Sequence, residues 1–251
     1  MENQEELTMF NHPLKWFKHQ VTGWPQQNYY LWWFALGCQI MTLVNGKIDT
    51  IAIVTFFGTM IGVLCILSIN AAKSVNGILG IISASCLIYV GISAKNYLSC
   101  FEQVAYMLTL DFPVIFAVKS WNDETVNHIK TFTLGKWIIA ITATIIVWVL
   151  SAVLIGKYTN DPRPWIDGLS FAVSLTAGIM CFFRYNNQYI WWLFSSIFQL
   201  ILWGITYAQG GASLAMAVNS SIYLMNDILA FTTSPWFKAG RKKMGLNEIK
   251  K

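Results

Sequence analysis

The segment Arg184–Trp203, RYNNQYIWWLFSSIFQLILW, is long enough to cross a bilayer, yet it carries two Asn, two Gln and two Ser among its rings and aliphatic side chains. A helix of about 20 residues covers about 30 Å, the thickness of a hydrocarbon core. At about 100° per residue, Tyr185, Gln188, Tyr189, Trp192, Ser196, Gln199 and Trp203 fall on one stripe. Ile190, Leu193, Phe194, Ile197, Phe198 and Ile201 take the other side. Such a helix is greasy toward lipid and polar-aromatic toward its neighbours, the reverse of a surface helix. Ser and Gln do hydrogen-bond between spans as glue, but glue rarely needs several large rings on the same stripe. A cavity for a flat, hydrogen-bonding solute needs both, because rings stack on rings while amides bind the edges.

The rest of the chain supports a membrane setting. Of its 251 residues 55% are hydrophobic and only 12% charged, with 12 Trp. Soluble domains carry about 25% charged residues, so the expected fold class is an all-α polytopic membrane protein. The N-terminus, MENQEELTMF, is acidic and polar, and no small-residue cleavage site follows the first apolar run, so that span is expected to be retained. The five cysteines lie inside apolar runs without C-x-x-C spacing and read as small buried side chains.

Eight apolar windows are long enough to span: Tyr29–Val44, Thr50–Ile69, Val75–Ser93, Tyr97–Val118, Trp137–Ile155, Gly168–Phe183, Gln188–Tyr207 and Gly211–Ala230. They divide the chain into a segment 1–28, a transmembrane domain 29–230 with halves of about 29–118 and 137–230, and a basic tail 231–251. With both termini cytoplasmic, the inner segments hold thirteen of the 17 Lys and Arg and the outer loops four, as the positive-inside rule requires. Before the first span, Leu14, Phe17, Val21 and Trp24 recur beside Lys15, Lys18 and His19, which predicts a short interfacial helix on the inner leaflet.

The halves also match each other. Lys73, Asn76 and Ser85 correspond to Arg184, Asn187 and Ser196 at an offset of 111, and Gln103 and Asp111 to Asn219 and Asp227 at an offset of 116. Four spans separate the matched helices, so the repeat is parallel, and a parallel repeat implies a site at its interface near mid-membrane. Two further helices carry polar groups that suit such a site. In the fourth span Asn96, Ser99, Gln103, Met107 and Leu110 share a face, with Glu102, Tyr106 and Asp111 beside it. Pro113 is expected to kink or end that helix. In the last span Asn219, Tyr223 and Asn226 lie on one stripe, flanked by Ser220 and Asp227. Glu102 either snorkels to the interface or faces a cavity, while Asp111 and Asp227 are read as structural and not as proton carriers.

Catalytic chemistry is missing. His12, His19 and His128 lie outside the spans, so no histidine pair can ligate a haem in the membrane. There is no H-E-x-x-H, no G-x-x-x-x-G-K-[ST] and no G-x-S-x-G. The reading is not an enzyme, with no cofactor and no metal, and the modest net charge of +5 does not point to nucleic acid.

From about Gly58 onward the chain resembles the Pnu family of vitamin and nucleoside transporters. The resemblance rests on IGVLC (Ile61–Cys65), K-x-x-N-G-x-x-G (Lys73–Gly80), YLSCFEQV (Tyr97–Val104), and WIDG (Trp165–Gly168) followed by RYNNQYIWW. The family's W-x-x-W-x-x-x-N motif reads here as Tyr189, Trp192 and Ser196, so one tryptophan is kept while the other and the amide are replaced. The resemblance implies a fold like that of the sugar-transporting SWEET proteins: two three-helix bundles, a linking helix (here the fifth span) and one added N-terminal span. It also implies uptake of nicotinamide riboside, a vitamin B3 precursor, by facilitated diffusion, with trapping by a separate cytoplasmic nucleoside kinase. Other members are associated with thiamine, riboflavin and deoxyribonucleosides. Gln103 and Trp192 match positions implied to contact substrate, and Tyr189 and Ser196 occupy altered ones. Tyr106, Gln188, Asn219 and Asn226 complete the expected substrate-binding set. The expected partners are the solute, the lipid bilayer of the cell (inner) membrane, the kinase, and other copies of the chain if it oligomerises. Two other classes stay open: the substrate-binding membrane subunit of an ATP-driven vitamin importer, and a structural or interaction role.

Overall fold

The computed structural model describes residues 12–116 and 130–233. The acidic N-terminus, Val118, Lys119, His128 and most of the polar connection around them, and the basic tail from residue 234 lie outside the described residues. Helix α1 (Pro13–Val21) opens with proline, which suits a first helical turn. It turns Leu14, Phe17 and Val21 outward and buries Trp16 and Gln20. The Gln20 side-chain oxygen accepts from the Val75 N–H at 3.1 Å, so α1 is tied to the start of a membrane helix.

Eight longer helical stretches follow, one in each window expected from the sequence. They are α2 (Gln26–Val44), α3 (Thr50–Asn70), α4 (Asn76–Ala94), α5 (Tyr97–Tyr106) with its continuation, α7 (Leu134–Tyr158), α8 (Pro164–Phe182), α9 (Gln188–Ala208) and α10 (Leu214–Thr233). Among the described residues six of these are long and apolar enough to cross a membrane: α3, α4, α7, α8, α9 and α10. The chain is a helical, multi-pass membrane protein.

Three boundaries differ from expectation for local reasons. Pro113 does not end its helix. α5 passes through a π-helical turn, Met107–Asp111, into α6 (Phe112–Phe116). The Phe112 N–H reaches back to the Met107 carbonyl, and the wider turn accommodates a proline that offers no N–H of its own. α8 begins at Pro164, earlier than Gly168, because the charged Asp167 is hydrogen-bonded inside the protein. α10 begins at Leu214, later than Gly211, because Gly210 takes a left-handed backbone (φ 73°) that closes α9.

Helix α3 packs on α4 and α4 on α5; α8 packs on α9 and α9 on α10. Contacts of α5 with α8 and of α3 with α10 join these two groups into a ring. α2 lies against α3 and α10, and α7 lies chiefly against α8. α7 is the least covered helix, with only 11% of its apolar window buried, and exposes Ile138, Ile139 and Leu150.

The turns before α4 and before α9 are built alike. Ala72 (φ 55°) and Arg184 (φ 60°) both take the left-handed conformation. The bonds Ala71 N–H to Leu67 O, Ala72 N–H to Ile69 O and Lys73 N–H to Ser68 O recur as Phe183 to Ile179, Arg184 to Cys181 and Tyr185 to Met180. The structural offset is 112 residues, one more than the sequence match. Lys73 therefore corresponds to Tyr185 rather than Arg184. Ser85 is not the counterpart of Ser196: it is exposed and bonds its own helix at Ile81 O. At an offset of 112 the pair is Ser83 and Ser195, both buried. The turns and the sequence identities thus give registers one residue apart.

Candidate functional site

The ring encloses a cavity of about 130 Å³. Its wall is assembled from five helices. α3 offers Gly62 and Cys65, α4 offers Gly80 and Ser83, and α5 with its π turn offers Ser99, Glu102, Gln103, Tyr106, Leu110 and Asp111. From α9 come Tyr189, Trp192, Ser195, Ser196, Gln199 and Trp203; from α10 come Asn219, Ser220, Tyr223, Asn226 and Asp227. No lysine, arginine or histidine is among these residues.

Seven of the eight residues expected from the sequence line this cavity: Gln103, Tyr106, Tyr189, Trp192, Ser196, Asn219 and Asn226. The Tyr106 and Trp192 rings lie 5.5 Å apart at 52°, a tilted aromatic pair contributed by α5 and α9. Ser196 donates to Asp227 at 2.5 Å. Asn226 accepts from Asn70 at 3.5 Å, and the Asn219 side-chain oxygen has no partner among the described residues.

Gln188 is the correction. It is fully buried but does not line the cavity, and neither polar atom of its side chain finds a partner among the described residues. α9 begins at Gln188, so the regular stripe starts there rather than at Arg184. Tyr185 lies in the preceding turn, packed against Phe132 and beneath Lys136. The cavity ends at Tyr189, one residue past the helix start.

Two cavity groups were not expected from the sequence, and a third had two expected places. Glu102 faces the cavity rather than the interface: it is 3% exposed and accepts from the Gln199 side-chain nitrogen at 2.7 and 2.8 Å. The Gln199 oxygen in turn accepts from the Trp203 indole at 2.9 Å. An indole N–H can only donate, so it fixes which end of the Gln199 amide meets Glu102. Ser83 and Ser195 were missed. Ser83 donates to Gly58 O at 2.8 Å, and Ser195 pairs with Ser174 at 2.6 Å. Their signal was the small residue facing inward at the spacing of the stripe: Ser83 follows Gly80 by three positions.

Glycine shapes two walls. A Cβ at Gly80 would strike the Asp111 carboxylate, and one at Gly62 would strike the Tyr223 hydroxyl and come within 2.8 Å of Ser83 Oγ. Both positions need the side chain to be absent so that a polar group from another helix can enter.

At the Trp203 end of the ring, beyond the cavity, sits a polar knot. Arg163 is 7% exposed, and its guanidinium donates to Asn96 Oδ1 at 2.7 and 3.2 Å, to Ala94 O at 2.8 Å and to Gln209 Oε1 at 2.5 Å. Burial pulls its pKa below the usual arginine value while Asp161 and Asp167 hold it up. Asn96 donates to Thr206 at 3.1 Å. Asp167 accepts from the Leu98 and Ser99 N–H groups at 2.8 and 3.0 Å, so α8 caps the start of α5 from outside that helix.

Residues 52–238 match the model of the family described as nicotinamide mononucleotide transporter. The chain is 24% identical over 244 residues to the nicotinamide riboside transporter PnuC of Neisseria mucosa, covering 92% of this chain and 89% of that protein. It is 25% identical over 218 residues to the nicotinamide riboside transporter PnuC of Haemophilus influenzae, covering 84% and 90%. Its fold is similar to the crystal structure of the vitamin B3 transporter PnuC, with a TM-score of 0.74 at 21% identity, over 91% of this chain and 98% of that one.

Proposed function

The chain belongs to the nicotinamide mononucleotide transporter family, and on that premise we propose that it carries nicotinamide riboside across the cell membrane, with no chemical step of its own. The observation that carries this reading is the cavity lining: rings from Tyr106, Tyr189 and Trp192, amides from Gln103, Asn219 and Asn226, and no basic side chain among the described lining residues. Rings and amides suit a nucleoside. A phosphate is ordinarily received by Arg, Lys or a helix N-terminus, and the three carboxylates in this wall would repel one. The mononucleotide named by the family description therefore fits the cavity less well than the riboside named for both relatives. Trp192 and Tyr189 are assigned to stack on the pyridine ring, and Ser196 contributes a hydroxyl where the family motif has an amide.

The same reading includes eight spans, counting α2 and the α5–α6 stretch, with both termini cytoplasmic. Helices α3 to α6 and α8 to α10 form the two bundles, α7 links them, and α2 is the addition. The matching turns before α4 and α9 support a parallel repeat. The exposed apolar side of α1, beside Lys15 and Lys18, supports its place on the inner leaflet. Diffusion through the cavity needs no energy source, and phosphorylation by a cytoplasmic kinase would add a group that this wall rejects, which retains the product inside.

The test is uptake of labelled nicotinamide riboside into liposomes that hold the purified protein alone. Saturable entry without ATP, speeded by unlabelled riboside on the opposite side, is expected. Binding without flux would favour a substrate-capturing subunit. Flux of thiamine, riboflavin or a deoxyribonucleoside, but not of the riboside, would mean that Tyr189 and Ser196 mark a different solute.

A further inference from the structure

The cavity wall holds three carboxylates, and they are not equivalent. Asp111 fills the notch left by the missing side chain of Gly80. Asp227 takes the Ser196 hydroxyl at 2.5 Å. These two aspartates also match each other at the sequence offset of 116. At that offset the counterpart of Glu102 is Val218. Only one half of the molecule carries a glutamate here, and a structural role common to both halves does not account for it.

Several donors are turned toward it. The Trp203 indole holds the Gln199 oxygen, which turns the Gln199 nitrogen onto both oxygens of Glu102. The Tyr106 and Ser174 hydroxyls also reach it, and no basic side chain is among the described residues lining the cavity. A buried carboxylate without a counter-charge is costly. Glu102 lies one helical turn before Tyr106, whose ring lies 5.5 Å from that of Trp192. A negative group and two aromatic rings on adjoining walls form the arrangement that receives a flat cation, because ring faces also attract positive charge.

We propose that Glu102 recognises the positive charge of the transported solute, with Gln199 and Trp203 as its positioning residues. The proposal rests on the nicotinamide riboside reading, since that solute carries a permanent positive charge on its pyridine nitrogen. Glu102 thereby distinguishes a pyridinium nucleoside from a neutral nucleoside of the same shape.

The test compares two ligands that differ in this charge: nicotinamide riboside and its 1,4-dihydro form, which has nearly the same outline and no charge. Their affinities for the purified protein are measured by calorimetry, for the unchanged chain, Glu102→Gln and Asp227→Asn. The unchanged protein is expected to bind the cation about tenfold or more tightly than the neutral form. Glu102→Gln should remove that preference by weakening the cation alone, while Asp227→Asn keeps it. Equal affinity of the unchanged protein for both forms would overturn the assignment without any variant, as would a preference that survives Glu102→Gln or disappears in Asp227→Asn. If neither form binds while thiamine or riboflavin does, the nicotinamide riboside reading falls, and the assignment with it.

Discussion

Trp192 is where a single side chain should matter most for binding. It lines the cavity, pairs with Tyr106 and keeps the one tryptophan that the family motif and this chain share. Stacking contributes about 0.5–1.5 kcal/mol beyond area burial, so Trp192→Ala should weaken nicotinamide riboside binding about tenfold or more in a calorimetric titration. An unchanged affinity would mean that the stripe only holds helices together. Gly80→Ala tests packing instead of contact. The new Cβ would strike the Asp111 carboxylate of the π turn, and such overpacking costs about 1–3 kcal/mol. A lower melting temperature in detergent is expected, and wild-type stability would show that the notch can widen. The residue scale also shows how far pattern reading reaches. Periodicity placed Tyr189, Trp192, Ser196 and Asn219 on the right face because helical spacing alone decides it. It misplaced Gln188, because whether a residue lines a cavity depends on where the helix starts and where the cavity stops.

At the scale of elements, helix ends carry much of the polar chemistry. α5 starts on N–H groups satisfied by Asp167 of α8, and Arg163, just before α8, draws together Ala94, Asn96 and Gln209. These bonds join α4, α5, α8 and α9 at one end of the cavity. Arg163→Ala removes the donor from three acceptors at once, and each buried acceptor left without one costs about 1–3 kcal/mol. The variant should unfold at a clearly lower temperature than Lys47→Ala, a change at an exposed loop cation. Equal melting would show that water replaces the guanidinium. None of this knot was legible beforehand: DPRPW reads as a loop from its prolines and charges, and only its partners, up to 69 residues away, make those charges suitable for burial. The π turn is similar. Pro113 announces a disturbance in the helix, but whether the chain ends, kinks or widens there depends on what packs against it.

For the whole molecule, the ring of helices explains how one chain can place carboxylates, amides and rings in a membrane interior. Many polar side chains face the cavity or a partner, Gln188 being an exception, and the apolar sides of α7 and α9 face outward. If the chain spans eight times with both ends on one side, single cysteines placed at Lys15 and at Lys238 should react with an impermeant reagent only from the inner side of sealed vesicles, and one at Lys47 only from the outer side. Labelling of Lys15 and Lys47 from the same side would remove α2 from the spans. The sequence by itself determined the class of the molecule, the position of each helix and the aromatic-amide stripe, because hydropathy, turn residues and helical spacing are local properties. Tertiary structure alone decided that Glu102 meets Gln199, 97 residues later, that Asp227 takes Ser196, and that Gln188 stays outside the cavity. Those outcomes depend on how helices far apart in the chain are turned against one another, and in a membrane that is decided by close packing and polar pairing between them, which no single segment contains.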